Sequence, residues 1–172
     1  MNINELNAHI IDWAKERELD TKGTIEAQAI KTVEELSELI KAICKDNKED
    51  IIDSIGDVYV TLVIGNMLDE NYNMNGLEQL FKVYFDNKGI KECKKLDKKY
   101  KLKKLGMFIQ VVLDYKYSTT VVRELTYQLT KTAYSYDLDF VECVESAYNT
   151  IKNRHGVIKD GMYVKDEDLK NE

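Results

Sequence analysis

Residues 51–67, IIDSIGDVYVTLVIGNM, decide the fold. From Val58 to Met67 only Thr61, Gly65 and Asn66 interrupt the apolar run. At about 3.6 residues per turn such a run is apolar on every side of a helix, and a helix of that kind has to be surrounded by other elements. Asp53 and Asp57, four residues apart, begin a stripe that continues as Val60, Ile64 and Leu68. Two carboxylates thus lie on a face that runs into the interior. Burying an unpaired carboxylate is costly, so this helix, read from about Lys48 to Asp69, calls for cationic partners or a metal ion.

Working backwards, Thr24 is placed to N-cap a helix reaching about Lys45, with Ile30, Val33, Leu36, Ile40 and Ile43 as its apolar stripe. Glu34, Glu35 and Glu38 lie on consecutive turns, with Glu35 and Glu38 roughly opposite that stripe, which by itself reads as a solvated acidic face. Before Thr24, Leu6, Ile10, Trp13 and Ala14 mark a first helix from about Ile3 to Arg17, ended by the polar stretch from Asp20 to Gly23. Working forwards, Leu77, Leu80, Phe81 and Tyr84 have helical spacing, with a break near Asn87 to Gly89. Two helices are expected from about Lys103 to Asp114 and from about Thr119 to Tyr136. A last one carries Phe140, Val141, Val144, Ala147, Tyr148 and Ile151, with Gly156 as its C′ residue. Val157 to Val164 alternates around Asp160-Gly161, the signature of a β-hairpin, and the acidic tail from Lys165 to Glu172 is expected to fray.

The reading is an all-α helical bundle with a short C-terminal β-hairpin, one domain over 1–172. Its 172 residues are enough for a core without staples, and the absence of proline permits long helices. Cys44, Cys93 and Cys143 form no close pair, so neither a disulfide framework nor a thiolate metal site is indicated. No signal peptide is evident and no apolar run reads as long enough to span a bilayer, so the expected location is the cytoplasm, with no membrane partner. A net charge of −6 argues against nucleic acid and would repel a polyanionic substrate unless metal ions intervene.

Antiparallel helices joined by a short turn can bring Glu35 and Glu38 opposite Asp57. Converging carboxylates suit Mg²⁺ or Mn²⁺, and the small Ser54 and Gly56 beside them are expected to leave room for a ligand. A ferritin-like di-iron site is disfavoured, because neither His9 nor His155 sits in a Glu-x-x-His pair.

Glu34-Glu35-Leu36-Ser37-Glu38, followed by Asp53-Ser54-Ile55-Gly56-Asp57, resembles the EExxE plus ExxD pattern of MazG-like all-α nucleoside triphosphate pyrophosphohydrolases. Trp13 to Arg17 with Gln28 and Lys31, and Ala147 to Gly156, are similar to the phage-encoded branch of that family. The resemblance implies a Mg²⁺-dependent hydrolase that converts a (d)NTP and water to the (d)NMP and pyrophosphate, in nucleotide-pool housekeeping. It implies Glu35, Glu38 and Asp57 as metal ligands with Glu34 near them, and a homo-oligomer, dimer or tetramer. Ser54 departs from the pattern where an acid is usual, and Asp53 on the adjacent turn is the candidate replacement. Glu34 or Glu38 would take a proton from the attacking water or orient it.

Lys31, Lys152 and Arg154 are candidate triphosphate ligands, although Lys152 and Arg154 equally suit a helix C-terminus. The resemblance suggests a substrate contact for Asn149. Trp13 is either a core aromatic or one wall of a base pocket. The metal-site half spans about 1–70, and the closing helix and hairpin about 137–165. Residues of about 76–136 carry a weak echo of the second and third helices, with Met107 and Tyr127 where Glu38 and Asp57 would stand; chance similarity explains it as well. The lysine-rich run from Lys88 to Lys104 reads as a solvated face or as a surface for nucleic acid or an acidic partner, although few aromatics interleave for stacking. The rival functions are a catalytically silent nucleotide-binding or regulatory protein, in which Ser54 marks decay of the site, and an interaction protein using the lysines.

Overall fold

The computed structural model describes residues 1–69 and 87–171. Among them are eight helices: α1 (Ile3–Glu16), α2 (Leu19–Lys22), α3 (Ile25–Lys45), α4 (Lys48–Leu68), α5 (Asn87–Cys93), α6 (Lys98–Tyr115), α7 (Thr119–Ser135) and α8 (Phe140–Ile151). A two-stranded antiparallel hairpin, β1 (Gly156–Lys159) and β2 (Met162–Lys165), and a 3₁₀ turn (Asp168–Asn171) follow. The fold is all-α with a terminal hairpin.

The apolar run explains the architecture, because α4 is the central element. It packs against α3, α8, α1 and α7, and every residue from Val58 to Asn66 is buried. By length and composition α4 has an apolar window that could cross a bilayer, which the sequence reading did not credit; 72% of that window is covered by the bundle.

Side-chain caps start several helices. Asn2 and Glu5 form a capping box on α1, Thr24 accepts from the Ala27 N–H, and Asn47 and Asp139 each accept from the first turn that follows them. These caps satisfy N–H groups that a helix start leaves without a backbone acceptor.

Several expectations need correction. The stretch ending α1 is itself a helical turn, α2, because Leu19 is buried in the core. Ile30 is 56% exposed, while Thr32, Glu35, Leu36, Leu39 and Ile43 are buried. The inward face of α3 is therefore rotated towards Glu35, since α3 is held between α4 and α6. A helix, α5, occupies the expected break at Asn87 to Gly89, and α6 begins at Lys98, where Asp97 accepts from the Tyr100 N–H. Gly156 opens β1 rather than capping α8; a Cβ there would sit 2.2 Å from the Val164 carbonyl oxygen. The segment with Leu77, Leu80, Phe81 and Tyr84 lies outside the described residues.

Tyr117, in the link between α6 and α7, inserts its ring against Gly65, where a Cβ would lie 2.1 Å from it. Its hydroxyl meets the Thr32 hydroxyl at 2.7 Å. One buried tyrosine thereby ties the second half of the chain to both α3 and α4, and burial pushes its pKa up.

In the lysine-rich run Lys91, Lys94, Lys95, Lys99 and Lys103 are exposed and Lys98 and Lys104 half-buried, but Lys101 is buried. Its ammonium donates to the Ser135 hydroxyl at 3.1 Å and lies 4.0 Å from the Tyr136 ring centroid. Lys94, Lys95 and Lys98 pair with Asp137, Glu92 and Asp46.

Candidate functional site

The antiparallel α3 and α4 bring their carboxylates to one cavity of about 400 Å³, bounded also by α1, the end of α8 and the hairpin. Glu34, Glu35 and Glu38 enter from α3, and Asp53 and Asp57 from α4. Glu35 is buried, Asp57 half-buried, and Glu34, Glu38 and Asp53 exposed. Ser54 is buried and is not part of the cavity wall, whereas Asp53 is. The acid one residue before the expected position is the one that faces the ligand space.

The acids are not balanced by bases. Six carboxylates line the cavity, counting Asp168 of the 3₁₀ turn, against three cations, Lys31, Arg154 and Lys165. Asp57 registers the consequence: burial first, then the charges of Glu35 and Asp53, push its pKa from 3.8 up to about 7, although Arg154 and Lys165 pull the other way. Lys31 is already engaged, its ammonium 2.9 Å from Glu34 and 2.8 Å from Glu35. Burial works against that charge, yet the hydrogen bonds to Glu35 and Glu34 leave its pKa raised.

A divalent cation would answer this imbalance, since hard oxygen donors and surplus negative charge are what Mg²⁺ and Mn²⁺ require. Among the described residues, no three carboxylate, histidine or cysteine side chains are gathered closely enough to hold an ion as they stand.

The cavity runs along α4 from Asp53 through Asp57, Val60 and Thr61 to Ile64, roughly 16 Å at 1.5 Å per residue. The lining also includes the apolar Leu19, Ile64, Ile151 and Met162 and the rings of Trp13 and Tyr163. Trp13 donates its indole N–H to the Ile151 carbonyl at 2.9 Å and meets Tyr163 edge-on, with centroids 5.3 Å apart. It is thus a buried aromatic and a cavity wall at once. Gln28 donates its side-chain amide to the Thr61 carbonyl at 3.1 Å, a bond that ties α3 to α4 within the wall.

Asn149 and Lys152 lie elsewhere. Both are exposed, outside the cavity wall, and the Lys152 ammonium donates to the Asn149 side-chain oxygen at 2.9 Å. Gly56 does not provide ligand space. A Cβ on it would meet the Cys143 carbonyl oxygen at 2.4 Å and Ala147 Cβ at 2.5 Å, so its role is the close approach of α4 to α8. Met107, the echo's counterpart of Glu38, is exposed and takes no part in this cavity.

Met162, Tyr163, Lys165 and Asp168 were not foreseen as lining residues. Alternation along β2 puts Tyr163 and Lys165 on one side of the strand, which the sequence does reveal. Where the hairpin docks is a tertiary fact. The Thr24 N–H donates to the Gly161 carbonyl at 3.1 Å, fastening the turn to the start of α3, and the Arg17 guanidinium donates to the Arg154 carbonyl at 2.8 Å, holding the other end.

The chain is 34% identical over 79 residues to the "Uncharacterized 18.2 kDa protein in rep-hol intergenic region" of Haemophilus phage HP1 (strain HP1c1), a match covering 46% of this chain and 47% of that protein. No family model matches the chain, and no solved structure matches it.

Proposed function

We propose that this protein is a MazG-like, Mg²⁺-dependent nucleoside triphosphate pyrophosphohydrolase, which converts a (d)NTP and water to the (d)NMP and pyrophosphate. The observation that carries this reading is one cavity whose lining combines Glu35, Glu38, Asp53 and Asp57 with Trp13, Ile64 and Tyr163. A triphosphate needs its charge neutralised and a base needs apolar, aromatic walls. One cavity offers both, at a size ordinary for a small-molecule site.

In this reading Glu35, Glu38, Asp53 and Asp57 would hold Mg²⁺, which would supply neutralisation of phosphate charge and acidification of water. Glu35 is positioned by Lys31, whose ion pairs with Glu34 and Glu35 fix the two side chains relative to each other. Glu38 is exposed on the cavity wall with no ion pair among the described residues, so besides contacting the metal ion it would be placed to orient the attacking water or take its proton. Trp13 is held rigid by its bond to Ile151 and gives the base a fixed wall. The homo-oligomer and the cytoplasmic setting implied by the resemblance belong to the same proposal.

The test is product analysis with a panel of dNTPs and NTPs, in Mg²⁺ or Mn²⁺, beside Glu38→Gln. Metal-dependent release of pyrophosphate, reduced about 100-fold or more in the variant, is expected. Absence of turnover with every nucleotide, where binding persists, would leave a nucleotide-binding protein instead.

A further inference from the structure

We propose that Lys165, carried by the C-terminal hairpin, forms with Arg154 the cationic clamp that binds the polyphosphate. This deepens the nucleotide reading of the same cavity and rests on it. Of the cations considered above, Lys31 is committed to Glu34 and Glu35, and Lys152 lies outside the cavity against Asn149. Arg154 and Lys165 line the cavity, and among the described residues neither side chain makes a hydrogen bond or an ion pair. Two free cations beside surplus carboxylates are arranged for an anion that arrives with its own metal ion.

The hairpin register produces this pairing. Gly156 pairs with Lys165, so the strands meet at their base two residues after Arg154. The crossing is close because Gly156 has no Cβ: one would lie 2.2 Å from the Val164 carbonyl oxygen and 2.8 Å from the Tyr163 ring. The base of the hairpin thus brings Arg154 and Lys165 to the wall of the cavity that Asp57 of α4 also lines, near enough for both charges to act on Asp57. Tyr163, two residues before Lys165 on β2, shares its side of the strand and touches Trp13. One short strand therefore supplies both an aromatic and a cation to the cavity wall. Polyphosphate held by this clamp would have the α4 carboxylates opposite it.

The experiment titrates inorganic triphosphate, which has no base or sugar, into the full chain at saturating Mg²⁺, with Mn²⁺ binding alone measured in parallel. Lys165→Gln and Arg154→Gln are each expected to weaken triphosphate binding by about 10- to 100-fold, while Mn²⁺ affinity and the thermal midpoint of the ligand-free protein stay near those of the parent. Lys165→Arg should keep most of the binding, which separates charge from hairpin packing. Triphosphate binding by the parent that is unchanged in Lys165→Gln would overturn the clamp and leave the enzyme reading standing. No binding of either triphosphate or nucleotide by the parent would remove both.

Discussion

Asp57 condenses the chemistry of the site into one side chain. Its pKa of about 7 means the folded protein holds a proton that the unfolded chain releases near 3.8. Stability from this group is therefore full below about pH 4 and is lost as pH rises towards about 7, on the order of a few kcal/mol. Metal-free protein should have a lower thermal midpoint at about pH 8 than at about pH 5, and Asp57→Asn should flatten that difference. A pH profile identical in parent and variant would show that the carboxylates do not crowd Asp57. At this scale the sequence revealed the acids themselves, because four-residue spacing places Asp53 and Asp57 on one face regardless of what surrounds them. It did not reveal that Glu35 is the buried glutamate, since Ile30 and Glu35 exchange expected exposure only once α3 is wedged between α4 and α6.

Elements were legible where their signals are local. Thr24 caps α3, the apolar run makes α4 central, and Asp160-Gly161 turns the hairpin, with φ of 51° and 79° at those two residues. What escaped was the meaning of glycines at crossings. Gly56 was read as ligand space but seats α8, so Gly56→Ala should drive a methyl into the Cys143 carbonyl and cost about 1–3 kcal/mol. Chemical denaturation would read that loss, and an unchanged midpoint would mean that α4 and α8 are free to separate. The hairpin is held more lightly. A Cβ on Gly161 would meet Thr24 side-chain atoms at 2.7 Å with φ at 79°, so Gly161→Val should release the turn from α3. The expected outcome is weaker nucleotide binding with most of the bundle's stability intact, because Lys165 and Tyr163 leave the wall together while the core stays in place.

Across the whole molecule, the first half supplies acids, the last helix and hairpin supply cations and an aromatic wall, and Tyr117 locks the intervening helices onto both α3 and α4. A site assembled from both ends of the chain should stabilise the fold when filled. Adding Mg²⁺ at about 100 times its dissociation constant should raise stability by about 2.7 kcal/mol, and chelation should reverse it. Glu35→Gln should abolish that metal-dependent rise. Sedimentation should return a multiple of the 20.0 kDa chain if the implied homo-oligomer forms. The central claim is the site of cleavage. Hydrolysis of the preferred dNTP with Mg²⁺ in ¹⁸O-enriched water, followed by phosphorus NMR, reads it directly. The label is expected in the monophosphate, with unlabelled pyrophosphate as the other product. Release of orthophosphate with a nucleoside diphosphate, or no turnover of any nucleotide, would contradict it.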